Sequence, residues 1–296
     1  MLIFSIFDFQ LKGTTIMIQL TNFTKSYSSK SPFAVSDINM ACEKGCITGI
    51  LGLNGAGKTT ILKAITARHF ATSGSVLVEG IEAGENTEQV RNLTGFVEEE
   101  PKLPGEYTVE EYLNMVASLH GQKMPCMDAG TRAKREFSER KFSYESKNPR
   151  TDFLFESSAS ICVNPRLIES LSLKEIFPKK IKTLSKGQRQ RVNFAQALIY
   201  NPSVLVLDEP ASGLDPAQII NMRSLVKSLK ADHTILLSTH LMQEVDSLCD
   251  KVYILHEGKI AASGRPDEIT SQFKCKNLEE AFFKITSASD IVGEQK

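Results

Sequence analysis

The run Gly52-Leu53-Asn54-Gly55-Ala56-Gly57-Lys58-Thr59 constrains the fold more than any other part of the chain. It has the form GxxxxGK[ST] and lies between Cys46–Leu51, an apolar segment that reads as a buried strand, and a helical segment opening at Lys58. Glycines at these positions let successive backbone N–H groups converge on phosphate oxygens with no side chain in the way. The helix that follows adds the positive end of its dipole. In such a loop Lys58 reaches the β- and γ-phosphates and Thr59 ligates Mg2+. Gly52, Asn54, Gly55, Gly57 and the following Thr60 complete the expected nucleotide-binding set. A glycine-rich turn with a chance lysine is the bland alternative, and the flanking strand and helix argue against it.

A loop of this kind needs a wound α/β sheet around it, and the rest of the chain supplies one. Short apolar runs alternate with amphipathic helical stretches from Met17 onward. Ser75–Val78, Leu93–Val97, Val204–Leu207 and Thr234–Leu237 read as strands, and Gln188–Ile199, Pro216–Leu229 and Leu241–Leu248 as helices. Thr108 and Glu111 form a capping box ahead of a helix carrying Val109, Tyr112, Leu113, Val116 and Leu119, closed by Gly121. Lys251–Leu255 and Lys259–Ala262 flank His256-Glu257-Gly258 as a hairpin near the sheet edge. With 296 residues, 41% of them hydrophobic, the chain can bury one large α/β domain or two small ones.

The strand Val204–Leu207 runs into Asp208-Glu209. Asp208 suits the coordination shell of Mg2+, and Glu209 suits a general base that polarises an attacking water. Alone, an apolar strand meeting two acids is most often only a strand meeting a loop; beside the phosphate loop, the chemical reading dominates.

Composition excludes other classes. Thirty-five basic residues balance thirty-five acidic ones, so there is no electrostatic footprint for nucleic acid. Six scattered cysteines form no disulfide framework or paired metal-ligand spacing, which points to a reducing, cytoplasmic compartment. No stretch approaches twenty uninterrupted apolar residues, so no membrane span is expected. The opening residues, Met1–Phe7, are apolar but lack a basic start and a small-residue cleavage site. Residues 123–160 are rich in lysine and arginine and lack apolar periodicity, and read as a loosely ordered insertion.

Four further motifs narrow the family. Leu184-Ser185-Lys186-Gly187-Gln188 resembles the signature of ATP-binding-cassette (ABC) ATPases, commonly LSGGQ. Ser212-Gly213-Leu214-Asp215 looks like their D-loop, and Ser238-Thr239-His240 like their switch-histidine motif. Tyr27 matches the aromatic that stacks on adenine. The resemblance covers roughly Met17 to Ala262, with every motif in family order. It implies a P-loop NTPase fold with a RecA-like core, an antiparallel β subdomain and an inserted helical subdomain at about 100–200. The expected division is an extension at 1–16, with translation starting at Met17, a cassette at 17–262 and a short helical tail at 263–296. It also implies ATP and Mg2+ as cofactors, and two cassettes packed head to tail. Ser185, Gly187 and Gln188 would bind the partner's ATP, His240 the γ-phosphate and attacking water, and Asp215 would lie at the seam. The partners implied are a second cassette and a separate transmembrane permease. The chain would then sit peripherally on the inner face of the membrane. The tail Asn277–Phe283 resembles bacterial exporter cassettes, which favours export.

Two residues depart from the family pattern. Glu99 stands where most members carry Gln, and its oxygen is a third expected contact for Mg2+ after Thr59 and Asp208. Lys186 replaces the first glycine of the signature. A non-transport ABC ATPase and a module that binds ATP with little turnover remain as alternatives.

Overall fold

The computed structural model describes residues 15–28, 33–121 and 165–293. Two sheets carry the molecule. The first is antiparallel, ordered β2-β1-β4-β5, from β1 (Ile16–Lys25), β2 (Val35–Glu43), β4 (Ser73–Val78) and β5 (Ile81–Glu82). The second is ordered β10-β9-β3-β8-β7-β6, from β3 (Ile47–Leu51), β6 (Thr94–Val97), β7 (Val204–Asp208), β8 (Thr234–Thr239), β9 (Lys251–His256) and β10 (Lys259–Gly264). Every pairing in it is parallel except β9 with β10, the edge hairpin. Strands β3, β6, β7 and β8 are buried along their whole length, which is why they show no alternation of apolar and polar faces.

Helices cover both faces of this sheet. On one side α3 (Val109–Leu119), α4 (Pro165–Ser170), α5 (Lys186–Leu198) and α6 (Pro216–Leu229) share a core through Leu113, Ile168, Phe194 and Val226. On the other, α1 (Lys58–Ile65) is sandwiched against the antiparallel sheet, with Phe23, Ile38, Ile61 and Leu62 in one apolar cluster. Helices α8 (Pro266–Gln272) and α9 (Leu278–Gly293) pack behind α7 (Met242–Leu248), where Leu278, Phe282 and Ile285 cluster with Leu51 and Val245. Tyr253 also ties the two sheets together. Tyr253 on β9 donates its hydroxyl to the Ala41 carbonyl on β2 at 3.1 Å and accepts from the Ala41 N–H at 2.9 Å.

Several boundaries differ from the sequence expectation. Helix α5 starts two residues before Gln188, because Ser185 and Gln188 form a reciprocal capping box that sets the first turn at Lys186. Leu93 ends a helix, α2 (Thr87–Leu93), instead of opening a strand. That helix was not anticipated: of its seven residues only Val90 is buried, too little to leave a periodic signal. The expected insertion at 123–160 and residues 1–14 lie outside the described residues. Among the described residues no helix is long and apolar enough to cross a membrane.

Candidate functional site

The carboxyl ends of three neighbouring strands meet at one level: Leu51 of β3 pairs with Thr239 of β8, and Ser238 of β8 with Asp208 of β7. The phosphate loop leaves β3 there and enters α1. Gly57 takes φ 107°, and a Cβ on it would lie 2.7 Å from the Ala34 carbonyl, so only glycine closes the loop against the start of β2. Lys58 follows directly and is 6% exposed. Its ammonium donates to the Gly52 and Leu53 carbonyls at 2.8 and 3.2 Å and pairs with Glu209 Oε1 at 3.0 Å.

The two acids at the end of β7 are held differently. Asp208 Oδ1 accepts from Thr59 Oγ1 at 3.3 Å and from Ser238 Oγ at 2.7 Å. Glu209 has turned the corner, with φ 46°. Its N–H is shared between the Ser238 carbonyl at 3.2 Å and the Ser238 hydroxyl at 3.1 Å. Its second oxygen, Oε2, lies 2.8 Å from His240 Nδ1, while Oε1 has the Lys58 ion pair but no directed hydrogen bond. A buried carboxylate thus sits between an ammonium and an imidazole, with accepting capacity to spare. Behind it, Thr239 Oγ1 accepts from the Leu241 N–H at 3.0 Å and donates to Glu244 Oε2 at 2.6 Å, which braces the turn that carries His240. Burial raises the pKa of Glu244, and the bond from Thr239 and the charge of Arg223 oppose that rise.

Lys58, Thr59, Asp208, Glu209 and His240 are therefore one cluster. Tyr27 reaches its edge, with a hydroxyl bonded to Thr60 Oγ1 at 3.2 Å and to His69 Nδ1 at 2.9 Å and a ring that is largely exposed. Asn54 and Gly55 lie exposed on the loop, and Gly52 is buried at its start. Ser185, Gly187 and Gln188 stand at the amino end of α5, and Asp215 caps α6 by accepting from the Gln218 N–H at 2.9 Å. These two helix ends touch, since a Cβ on Gly187 would lie 2.7 Å from the Gln218 side chain. Among the described residues no hydrogen bond joins Ser185, Gly187, Gln188 or Asp215 to the Lys58 cluster.

Glu99 does not join the Thr59–Asp208 pair through any hydrogen bond; its Oε1 accepts from Ser212 Oγ at 3.0 Å. The roles of Ser212 and Ser238 escaped the sequence reading, although both lie inside quoted motifs; only the folded register shows what a hydroxyl there reaches. His69, which belongs to no motif, holds Tyr27. His120 stacks on Tyr200 at 3.9 Å between ring centres, and His233 donates to the Pro202 carbonyl at 2.6 Å, so both are satisfied structural residues.

Comparison with known proteins agrees with this geometry. A family model described as ABC transporter matches residues 35–212. The lantibiotic transport ATP-binding protein SrtF of Streptococcus pyogenes is 30% identical over 267 residues, covering 90% of this chain and 96% of that protein. The ABC transporter G family member 23 of Dictyostelium discoideum is 31% identical over 294 residues, and the chain spans 36% of its length. A solved ATP-binding subunit of an ABC transporter superposes with a TM-score of 0.72 at 26% identity, covering 91% of this chain and 99% of that one. The phosphate loop, the strand-end acids and these likenesses lead to one assignment: the chain belongs to the ABC transporter family, as one of its ATP-binding domains.

Proposed function

We propose that this chain hydrolyses Mg2+-bound ATP and, paired with a second cassette, powers a separate transmembrane permease in export. The observation that carries the hydrolytic reading is the placement of Glu209. Its carboxylate is buried at the end of β7, fixed through one oxygen by His240 and paired through the other with the phosphate-loop lysine. A base so held can take a proton from a water beside the γ-phosphate without first having to be oriented. Lys58 neutralises charge on the phosphates, and the backbone N–H groups around Gly55 and Gly57 orient them. Thr59 and Asp208 offer hard hydroxyl and carboxylate oxygens side by side, a donor set that suits Mg2+, and these residues would hold it. The ion supplies charge neutralisation across the phosphate oxygens when bound.

Pairing of cassettes is supported by the outward placement of Ser185 and Asp215 at two adjoining helix ends, away from the Lys58 cluster. Export is supported by the resemblance of the tail around Asn277–Phe283 to exporter cassettes, and SrtF, a transport ATP-binding protein for lantibiotics by name, is a relative along nearly its whole length. The experiment is an ATPase assay on the purified chain with and without Mg2+, alongside nucleotide binding by Lys58→Ala. Mg2+-dependent turnover in the parent and loss of ATP binding in the variant are expected. A variant that binds and hydrolyses ATP like the parent would remove Lys58, and with it the site, from the proposal.

A further inference from the structure

The end of β1 and the loop beyond α1 are fastened together at the edge of the Lys58 cluster. After Ile65 the chain leaves α1 through Ala67, at φ 50°, and the N–H groups of Arg68 and His69 both return to the Lys63 carbonyl, at 2.8 and 3.1 Å. Further on, Thr72 donates its N–H to the Thr24 carbonyl at 2.8 Å, and its hydroxyl accepts from the Ser26 N–H at 3.0 Å. The backbone leading into Tyr27 is thus bonded to the same loop that carries His69. Tyr27 is also fastened at its far end. Its hydroxyl lies 2.9 Å from His69 Nδ1 and 3.2 Å from Thr60 Oγ1. The Tyr27 and His69 rings meet at 5.4 Å between centres and 78° between planes, and Lys25 Nζ stands 5.4 Å from the Tyr27 ring centre. The ring is still 57% exposed. Tyr27 is therefore held in place without being covered.

We propose that His69 is a positioning residue for Tyr27, holding its ring ready to stack on the base of ATP; this rests on the reading of Tyr27 as the adenine platform. An exposed side chain that is free to turn must be ordered when a ligand settles on it, and that ordering weakens binding. A rigid ring on two torsions is ordered in advance once its far end is tied. Of the two ties, Thr60 adjoins Thr59 in the phosphate-loop helix and belongs to the expected nucleotide-binding set, so its hydroxyl is drawn towards the phosphates when ATP is bound. His69 stands outside that set and keeps its hold. Burial, and then the charges of Lys63 and Lys25, hold the His69 pKa below its ordinary value of 6.5. The imidazole is accordingly neutral at physiological pH, and a neutral ring can present Nδ1 as an acceptor to the Tyr27 hydroxyl.

The test has one arm without nucleotide and one with it. Tyr27 is one of six tyrosines, so its ring can be followed by NMR in tyrosine-labelled protein, the signal that vanishes in Tyr27→Phe being its own. His69→Ala should move this signal towards that of a freely exposed tyrosine. His69→Asn, which returns a polar atom near the place of Nδ1, should keep it close to the parent's. The second arm measures Kd for ATP and for inorganic tripolyphosphate, which carries phosphates but no base. His69→Ala should weaken ATP binding about fivefold, the worth of one net hydrogen bond, and leave tripolyphosphate binding as in the parent. His69→Asn should recover most of that loss. In a Tyr27→Phe background, where the hydroxyl is already gone, His69→Ala should add no further loss. Either a Tyr27 signal or an ATP affinity that His69→Ala leaves unchanged overturns the proposal. Equal weakening of ATP and tripolyphosphate overturns it too, because the damage then lies in the phosphate loop. A parent that binds tripolyphosphate as tightly as ATP overturns the reading of Tyr27 as the adenine platform, and the NMR arm then reads the tie between His69 and Tyr27 alone.

Discussion

Glu209 turns the chain through φ 46° at the end of a fully buried strand, and the groups around it decide what its carboxylate can do. Glu209→Gln preserves the shape of the side chain and its contact with His240 but removes the base. Turnover should fall by about a hundredfold or more, the usual worth of a general base, while ATP remains bound; single-turnover measurements with labelled ATP read both. A second residue titrates behind the site. Glu244 is 1% exposed, and burial raises its pKa above the ordinary value of 4.5. The folded state therefore binds the proton more tightly than the unfolded state between 4.5 and the raised value, and stability falls as pH rises through that window. Glu244→Gln keeps an acceptor for Thr239 and removes the titration. Its melting temperature should equal the parent's below pH 4.5 and exceed it at neutral pH; equal values at neutral pH would show that Arg223 already offsets the burial.

At the scale of elements, Tyr253 is one of the ties between the two sheets. Its hydroxyl serves both the N–H and the carbonyl of Ala41, standing in for a strand partner that β2 lacks at that point. Tyr253→Phe leaves both groups without a partner and should cost about 1–3 kcal/mol, read from urea unfolding. This contact shows where sequence reading stops. The buried strands were legible because the centres of β3, β7 and β8 are short apolar runs with no polar face, and the phosphate loop because its spacing is its chemistry. The helix at Val109 was legible through Thr108 and Glu111, which cap it as expected. Tyr253 and Ala41 are 212 residues apart, and neither carries a local pattern that names the other. The same holds for the bond between Ser212 and Glu99, 113 residues apart, which no local pattern announces. Helix α2 was missed for a different reason, since a helix with a single buried residue is set by its neighbours more than by its own periodicity.

The whole molecule places the groups proposed to bind nucleotide on two surfaces. The Lys58 cluster sits at the strand ends, and Ser185 and Asp215 sit on exposed helix ends beside each other. Pairing two such chains head to tail would bring the second surface of one over the cluster of the other. Glu209→Gln with Mg2+ and ATP should accordingly elute as a dimer in size-exclusion chromatography, and Lys58→Ala as a monomer; a Glu209→Gln variant that stays monomeric at saturating ATP would count against the arrangement. Helix α9 adds a consequence of another kind. Its Phe282 and Ile285 share one apolar cluster with Leu51, the last residue before the phosphate loop, and with Val245, just beyond the His240 turn. The tail is thus a seal on the back of the strands that carry the site. A protease should cut there when the seal lifts, and bound ATP should make that lifting rarer to the extent that the opened state holds ATP more weakly. The lifetime of α9 under a protease then becomes a clock for occupancy at the far end of the same strand.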